Sequence, residues 1–281
     1  MSKFINETQK AGQWVQRQSA TQELDIQQLV ENLKHGAEVG RDLIEVPRGL
    51  GLKSPLEIRS LAPLILRQDR SAQGALEAYR GLRTKLMRAQ AKLDLHSIAI
   101  TSSFPGEGKT LTVMNLGLCY SQLPDQRVLI VDADLRTRGL SQLLGQSDAP
   151  GLSEVLTGQC TASEVIRETN HKNFFVLPAG IVATPPPEHF IGPQWQEFLT
   201  ECKQTFNIIL VDSPPVMPLS DFELLSSVCD GYLTVVRAHY AQRQMLKETA
   251  RALDPKKLLG LVFNASTSNT ATCYGYNYGY R

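Results

Sequence analysis

From Ile98 to Asn115 the chain reads Ile-Ala-Ile-Thr-Ser-Ser-Phe-Pro-Gly-Glu-Gly-Lys-Thr-Leu-Thr-Val-Met-Asn. A short β-branched run, a Gly/Pro loop and apolar helical periodicity follow one another, so the loop joins a strand to a helix. Small residues at that junction let backbone N–H groups approach an anion. Lys109 would reach the outer phosphates of a nucleotide, and the Thr110 hydroxyl would ligate Mg²⁺. Ser103, Pro105, Gly106, Glu107, Gly108, Lys109, Thr110 and Leu111 are therefore the expected nucleotide contacts. The usual pattern is G-x-x-x-x-G-K-[ST], and Ser103 stands where its first glycine belongs.

Two further apolar runs end in acids. Val128–Val131 is followed by Asp132-Ala-Asp134-Leu-Arg136, and Ile208–Val211 by Asp212-Ser-Pro-Pro215. One aspartate past a buried run is explained by a turn cap. Two such ends beside a Gly-Lys-Thr loop point instead to a shared cation, because Mg²⁺ takes a few carboxylates together with waters and phosphate oxygens. Asn264 ends the last apolar run, where its amide would read an adenine edge or form a turn.

The elements that must position these residues are six candidate strands: 98–100, 128–131, 174–177, 208–211, 232–236 and 259–263. Near-continuous apolar runs at helical separations predict an α/β fold of the P-loop type, with a mostly parallel, doubly wound sheet. Its ligand belongs at the carboxyl edge of the strands. Ahead of this core, residues 71–92 form an expected helix with Ala75, Tyr79, Leu82 and Leu86 as its apolar stripe. Glu77, Arg80 and Arg83 line a neighbouring face, and their spacing alone favours a solvated surface with weak ion pairs.

Residues 1–70 are polar with intermittent helical pattern at Leu24, Ile26, Leu29, Val30 and Leu33, an extension of undefined role. They would be a helical extension, a docking segment or a linker. Residues 71–264 make the nucleotide-binding domain. Residues 265–281 form a tail poor in apolar groups, expected to be mobile. Four of the eight tyrosines, Tyr274, Tyr276, Tyr278 and Tyr280, fall in its last eight positions. Such a cluster would act as an adhesive, as an edge strand or as a set of phosphate acceptors.

Composition sets outer limits. With 42% hydrophobic residues, 20% charged residues and a formal net charge of +1, the 281-residue chain offers no electrostatic case for nucleic acid. Its five cysteines lack C-x-x-C spacing, so neither zinc nor a disulfide framework is expected. The first ten residues lack the apolar core of a signal peptide, and no run approaches a membrane span, which places the protein in the cytoplasm.

The Pro-Gly-Glu-Gly-Lys-Thr loop, the Asp-x-Asp-Leu-Arg motif, the Asp-Ser-Pro-Pro strand end and the terminal tyrosines together resemble the bacterial tyrosine kinases. These are cytoplasmic autokinases of the CpsD/CapB type, and the likeness covers about residues 76–281. It implies an ATP- and Mg²⁺-dependent kinase that phosphorylates its own Tyr274, Tyr276, Tyr278 and Tyr280 between subunits and regulates polysaccharide synthesis and export. Lys109 and Thr110 would then belong to Walker A, Asp132 and Asp134 to Walker A′, and Asp212 to Walker B. Lys109, Asp132, Asp134 and Asp212 become the catalytic set, and Thr110, Asp132 and Asp212 the metal set. Either Asp132 or Asp134 would be the base.

The likeness also extends to Glu77-x-x-Arg80-x-x-Arg83, linked in that family to ring-like self-association. A membrane-anchored polysaccharide co-polymerase on a separate chain is the implied activator, holding the kinase at the inner face of the cell membrane. This chain departs from the family at Thr137-Arg138, where Arg-Pro is frequent, and at Pro185–Pro187. The alternatives are a ParA/MinD-like positioning ATPase, which would carry lysine where Phe104 stands, and a non-catalytic nucleotide-gated scaffold for polysaccharide export.

Overall fold

The structure is a computed structural model and describes residues 55–58, 70–182, 188–217, 221–238, 240 and 243–265. These all belong to one compact unit, residues 44–281. The chain runs through α1 (Arg70–Leu93), β1 (Ser97–Ser102), α2 (Lys109–Ser121) and β2 (Val128–Asp132). Three short helices follow, α3 (Gly139–Leu143), α4 (Leu152–Leu156) and α5 (Ala162–Val165), then β3 (Arg167–Glu168) and β4 (Phe174–Leu177). The second half comprises α6 (Glu188–Ile191), α7 (Gln194–Thr205), β5 (Ile208–Asp212), α8 (Asp221–Val228), β6 (Gly231–Arg237), α9 (Arg243–Ala252) and β7 (Leu258–Asn264).

The seven strands form one sheet in the order β3-β4-β2-β5-β1-β6-β7, parallel except where β3 meets β4. All six expected strands are present. Every residue of β1, β2, β4 and β5 is buried, which is why these strands read as unbroken apolar runs. The pleat sends alternate side chains to opposite layers. Ile98, Ile100, Val128, Ile130, Ile208 and Leu210 meet Val113, Met114 and Leu116 of α2, with Tyr79, Leu82 and Leu86 of α1 behind them. Ala99, Leu129, Val131, Ile209 and Val211 face the opposite layer, where α7 supplies Trp195, Phe198, Leu199 and Cys202.

The sequence pattern missed β3, because two half-exposed residues carry no periodicity. It also left Leu56 and Ile58 in the extension, whereas both are buried against the α2 layer. Leu56 pairs in parallel with Thr169, and the Ile58 N–H donates to Asn170 Oδ1. The end of the extension therefore covers one sheet edge. Among the described residues no helix is long and apolar enough to cross a membrane, and Cys119, Cys160, Cys202 and Cys229 are unpaired thiols.

Candidate active site

The loop from Ser103 to Gly108 leaves the central strand β1 and enters α2. Gly106 and Gly108 have φ of +83° and +96°, backbone that side chains rarely adopt. A Cβ on Gly108 would also lie 2.1 Å from Asn264 Nδ2. Ser103 has no positive φ, so the first glycine of the usual pattern is not required here. No side chain caps the start of α2, and its first N–H groups remain directed at the loop.

The loop is braced from below by a residue counted in the sequence only as a nucleotide contact. Glu107 is fully buried; its Oε2 accepts the Phe104 N–H at 2.9 Å and its Oε1 the Arg237 N–H at 3.3 Å. Asn264 Nδ2 donates to the Glu107 carbonyl at 2.8 Å, and its Oδ1 accepts the Ala265 N–H. In this arrangement the Asn264 amide holds the loop.

Parallel pairing brings Asp132 of β2 and Asp212 of β5 to matched register positions beside the loop. Lys109 Nζ donates to Asp134 Oδ2 at 2.7 Å and lies 3.8 Å from Asp212 Oδ1. Burial opposes the charge of Lys109, but Asp212 and Asp134 outweigh it and raise its pKa. Burial likewise opposes the ionised form of Asp134, yet Lys109 and the Thr137 N–H hold its pKa below the ordinary carboxylate range.

Asp132 and Asp212 go the other way. Burial, reinforced by the Asp212 charge, pushes the Asp132 carboxyl up despite its bonds to Ser141. Burial also raises Asp212, with Lys109 and the nearby Thr110 hydroxyl offsetting part of the rise. Neither Asp212 oxygen, nor Asp132 Oδ1, nor Ser103 Oγ has a hydrogen-bond partner. Buried acceptors without donors are rare, since each forfeits its hydration. A divalent cation on a nucleotide fits the deficit. Among the described residues no group of three or more His, Cys, Asp or Glu forms a complete metal cage. Two carboxylates and a threonine suit an ion that keeps waters and phosphate oxygens in its shell.

Two partnerships had no signal in the sequence. Ser141, at the start of α3, gives Asp132 Oδ2 both its N–H at 2.7 Å and its hydroxyl at 2.6 Å, while its Oγ accepts the Ala179 N–H. Arg136 grips Asp221 through Nε–Oδ2 at 2.6 Å and Nη2–Oδ1 at 3.2 Å, tying the Asp134 loop to α8.

Arg80 pairs with the exposed Glu77 on α1, whereas Arg83 donates to the Cys119 carbonyl near the end of α2. Arg83 therefore departs from the solvated face its spacing suggests. Leu111 is partly exposed on the first turn of α2. Tyr274, Tyr276, Tyr278, Tyr280 and Pro185–Pro187 lie outside the described residues, as do residues 1–54.

A family model described as an AAA domain matches residues 95–252. The tyrosine-protein kinase YwqD of Bacillus subtilis is 30% identical over 203 residues, 71% of this chain and 85% of that protein. A putative tyrosine-protein kinase EpsB of Ralstonia solanacearum is 28% identical over 82% of this chain, which spans only 30% of that longer relative. Among solved structures, the kinase domain of the Escherichia coli tyrosine kinase ETK matches with a TM-score of 0.67 and 28% identity, covering 83% of this chain and 88% of that one.

Proposed function

The chain belongs to the AAA-domain family and, within it, to the bacterial tyrosine-protein kinases, and from that premise we propose that it transfers the γ-phosphoryl group of ATP to the tyrosines of its own C-terminal tail. The observation that carries the reading is the meeting of Lys109 with three aspartates at the mouth of the Gly106–Gly108 loop. Phosphoryl transfer depends on positioning and charge compensation rather than on covalent chemistry by the protein.

Backbone N–H groups of the loop and α2 would hold the phosphates, and Lys109 would swing from Asp134 to the β,γ bridge. Thr110, Asp132 and Asp212 are the residues that would hold Mg²⁺, directly or through water. When bound, that ion neutralises charge on the phosphate oxygens. The acceptor phenol, with a pKa near 10, needs a carboxylate to orient it and take its proton. Asp132, whose Oδ1 is open, and Asp134, which Lys109 would release on moving to the phosphates, are the two proposed bases. Tyr274, Tyr276, Tyr278 and Tyr280 are the proposed acceptors. Glu77, Arg80 and Arg83 are the proposed contact between copies, in a ring that brings each tail to a neighbour's site.

The activator we propose is a membrane-anchored polysaccharide co-polymerase on a separate chain, which would hold the kinase at the inner membrane face. Phe104 stands where positioning ATPases of the ParA/MinD type carry an extra lysine, which argues against that alternative.

Labelled ATP given to the purified protein tests the proposal. Label on the four tail tyrosines supports it. Free phosphate alone would support a positioning ATPase, and binding without turnover a scaffold. Mixing a Lys109→Met chain that keeps its tail with an active chain whose four tail tyrosines are Phe should label only the former, which would establish transfer between subunits.

A further inference from the structure

The loop sits on the central strand, and the sheet order assigns different work to its two flanks. Asp132 and Asp212 lie on β2 and β5, to one side of β1, while β6 and β7 lie on the other. A triphosphate clasped by the loop with its terminal phosphate among those acids must direct its sugar and base over the ends of β6 and β7. On that flank the Asn264 amide is committed to Glu107 and Ala265. An aromatic ring bonded to the loop on that flank is Tyr240, 53% exposed.

Its phenol donates to the Pro105 carbonyl at 3.3 Å and lies 3.5 Å from where a Cβ on Gly106 would stand. The Arg237 guanidinium lies 5.7 Å from the ring centroid, and its Nη1 donates to the Gly106 carbonyl at 3.2 Å. The ring is thus tethered at its hydroxyl and backed on one face, with half the residue still open. An isolated exposed tyrosine would mean nothing. A ring anchored to the phosphate loop on the flank where the nucleoside must emerge is a preorganised stacking surface.

We propose that Tyr240, backed by Arg237, is the platform on which the nucleoside half of bound ATP rests. The inference depends on the nucleotide site described under the proposed function and adds the residue that grips the nucleoside.

The test compares ADP with inorganic tripolyphosphate, which has no base or sugar, by titration calorimetry on the full chain with Mg²⁺. Tyr240→Ala should weaken ADP about tenfold, the scale of losing one aromatic stacking partner, and leave tripolyphosphate within about twofold. Tyr240→Phe, which keeps the ring and loses only the hydroxyl tether, should stay within about threefold of the parent for ADP, and Tyr240→Trp should bind ADP at least as well. Equal loss of both ligands in Tyr240→Ala would make the residue a brace for the loop and overturn the platform. So would unchanged ADP affinity, or a Phe variant as impaired as Ala. Parent protein that binds ADP but never labels tyrosine would refute the kinase reading and leave the platform standing.

Discussion

Asp132 and Asp212 are register partners on neighbouring strands, yet only one of them is held. Asp132 Oδ2 receives two hydrogen bonds from Ser141, whereas Asp212, fully buried, receives none on either oxygen. An acid buried without a hydrogen-bond donor, with Lys109 at 3.8 Å as its balancing charge, has been placed for a ligand at the expense of the empty protein's stability.

Burial of both carboxyls sets a pH dependence, to which Asp212 contributes. The folded pKa of Asp212 lies above its unfolded value. The folded state therefore binds the extra proton, and stability is fully present below about pH 4 and lost as pH rises through the elevated folded pKa. Asp212→Asn should reduce the loss and leave the part due to Asp132, whose carboxyl burial also raises: in metal-free, nucleotide-free buffer the variant should gain stability over the parent by about 1–3 kcal/mol between pH 4 and pH 8. Thermal melts across that range read the effect, and an unchanged pH profile would mean that the carboxylate is not the source. Tail phosphorylation should be lost in the same variant.

Lys109→Met should abolish tail labelling, and labelling that survives would remove the loop from the mechanism. Deleting one side of the buried Lys109–Asp134 pair should also destabilise the protein by about 3–5 kcal/mol. Adding Asp134→Asn should recover part of that loss, because the stranded charge is then gone. A double variant no more stable than the single one would show that the pair is already well hydrated.

Ser141→Ala frees Asp132 to rotate. Stability should fall by about 1–3 kcal/mol from the lost buried bonds, and tail phosphorylation should drop about 10- to 100-fold from the displaced carboxylate. ADP affinity in EDTA should be nearly unchanged, while the gain on adding Mg²⁺ shrinks. An undiminished Mg²⁺ gain would separate Ser141 from the cation.

Changing Glu77, Arg80 and Arg83 together to Ala should lower the mass seen by light scattering if they join copies of the chain. Individually they should differ. Glu77 and Arg80 form an exposed pair worth under about 0.5 kcal/mol. Arg83→Ala also removes a bond to the Cys119 carbonyl and should cost about 0.5–1.5 kcal/mol. An unchanged mass would return Glu77 and Arg80 to a solvated surface.

The amino-acid sequence by itself determined six of the seven strands, the Gly-Lys-Thr loop and the acids past two strand ends. Each of these is a local feature: apolar runs mark strands buried on both faces, and each acid sits where its own strand stops. The positive φ of Gly106 and Gly108 came only with the structure; the sequence showed small residues that let backbone N–H groups approach an anion. Only the tertiary structure decided what holds and distinguishes those groups. Asn264 reaches Glu107 across 157 positions, Arg237 reaches it across 130, and Arg136 reaches Asp221 across 85. No periodicity spans such separations. The order of strands in the sheet creates these contacts, and the same order buries Asp212 without a hydrogen-bond donor, sets Ser141 against Asp132 and brings Tyr240 to the loop.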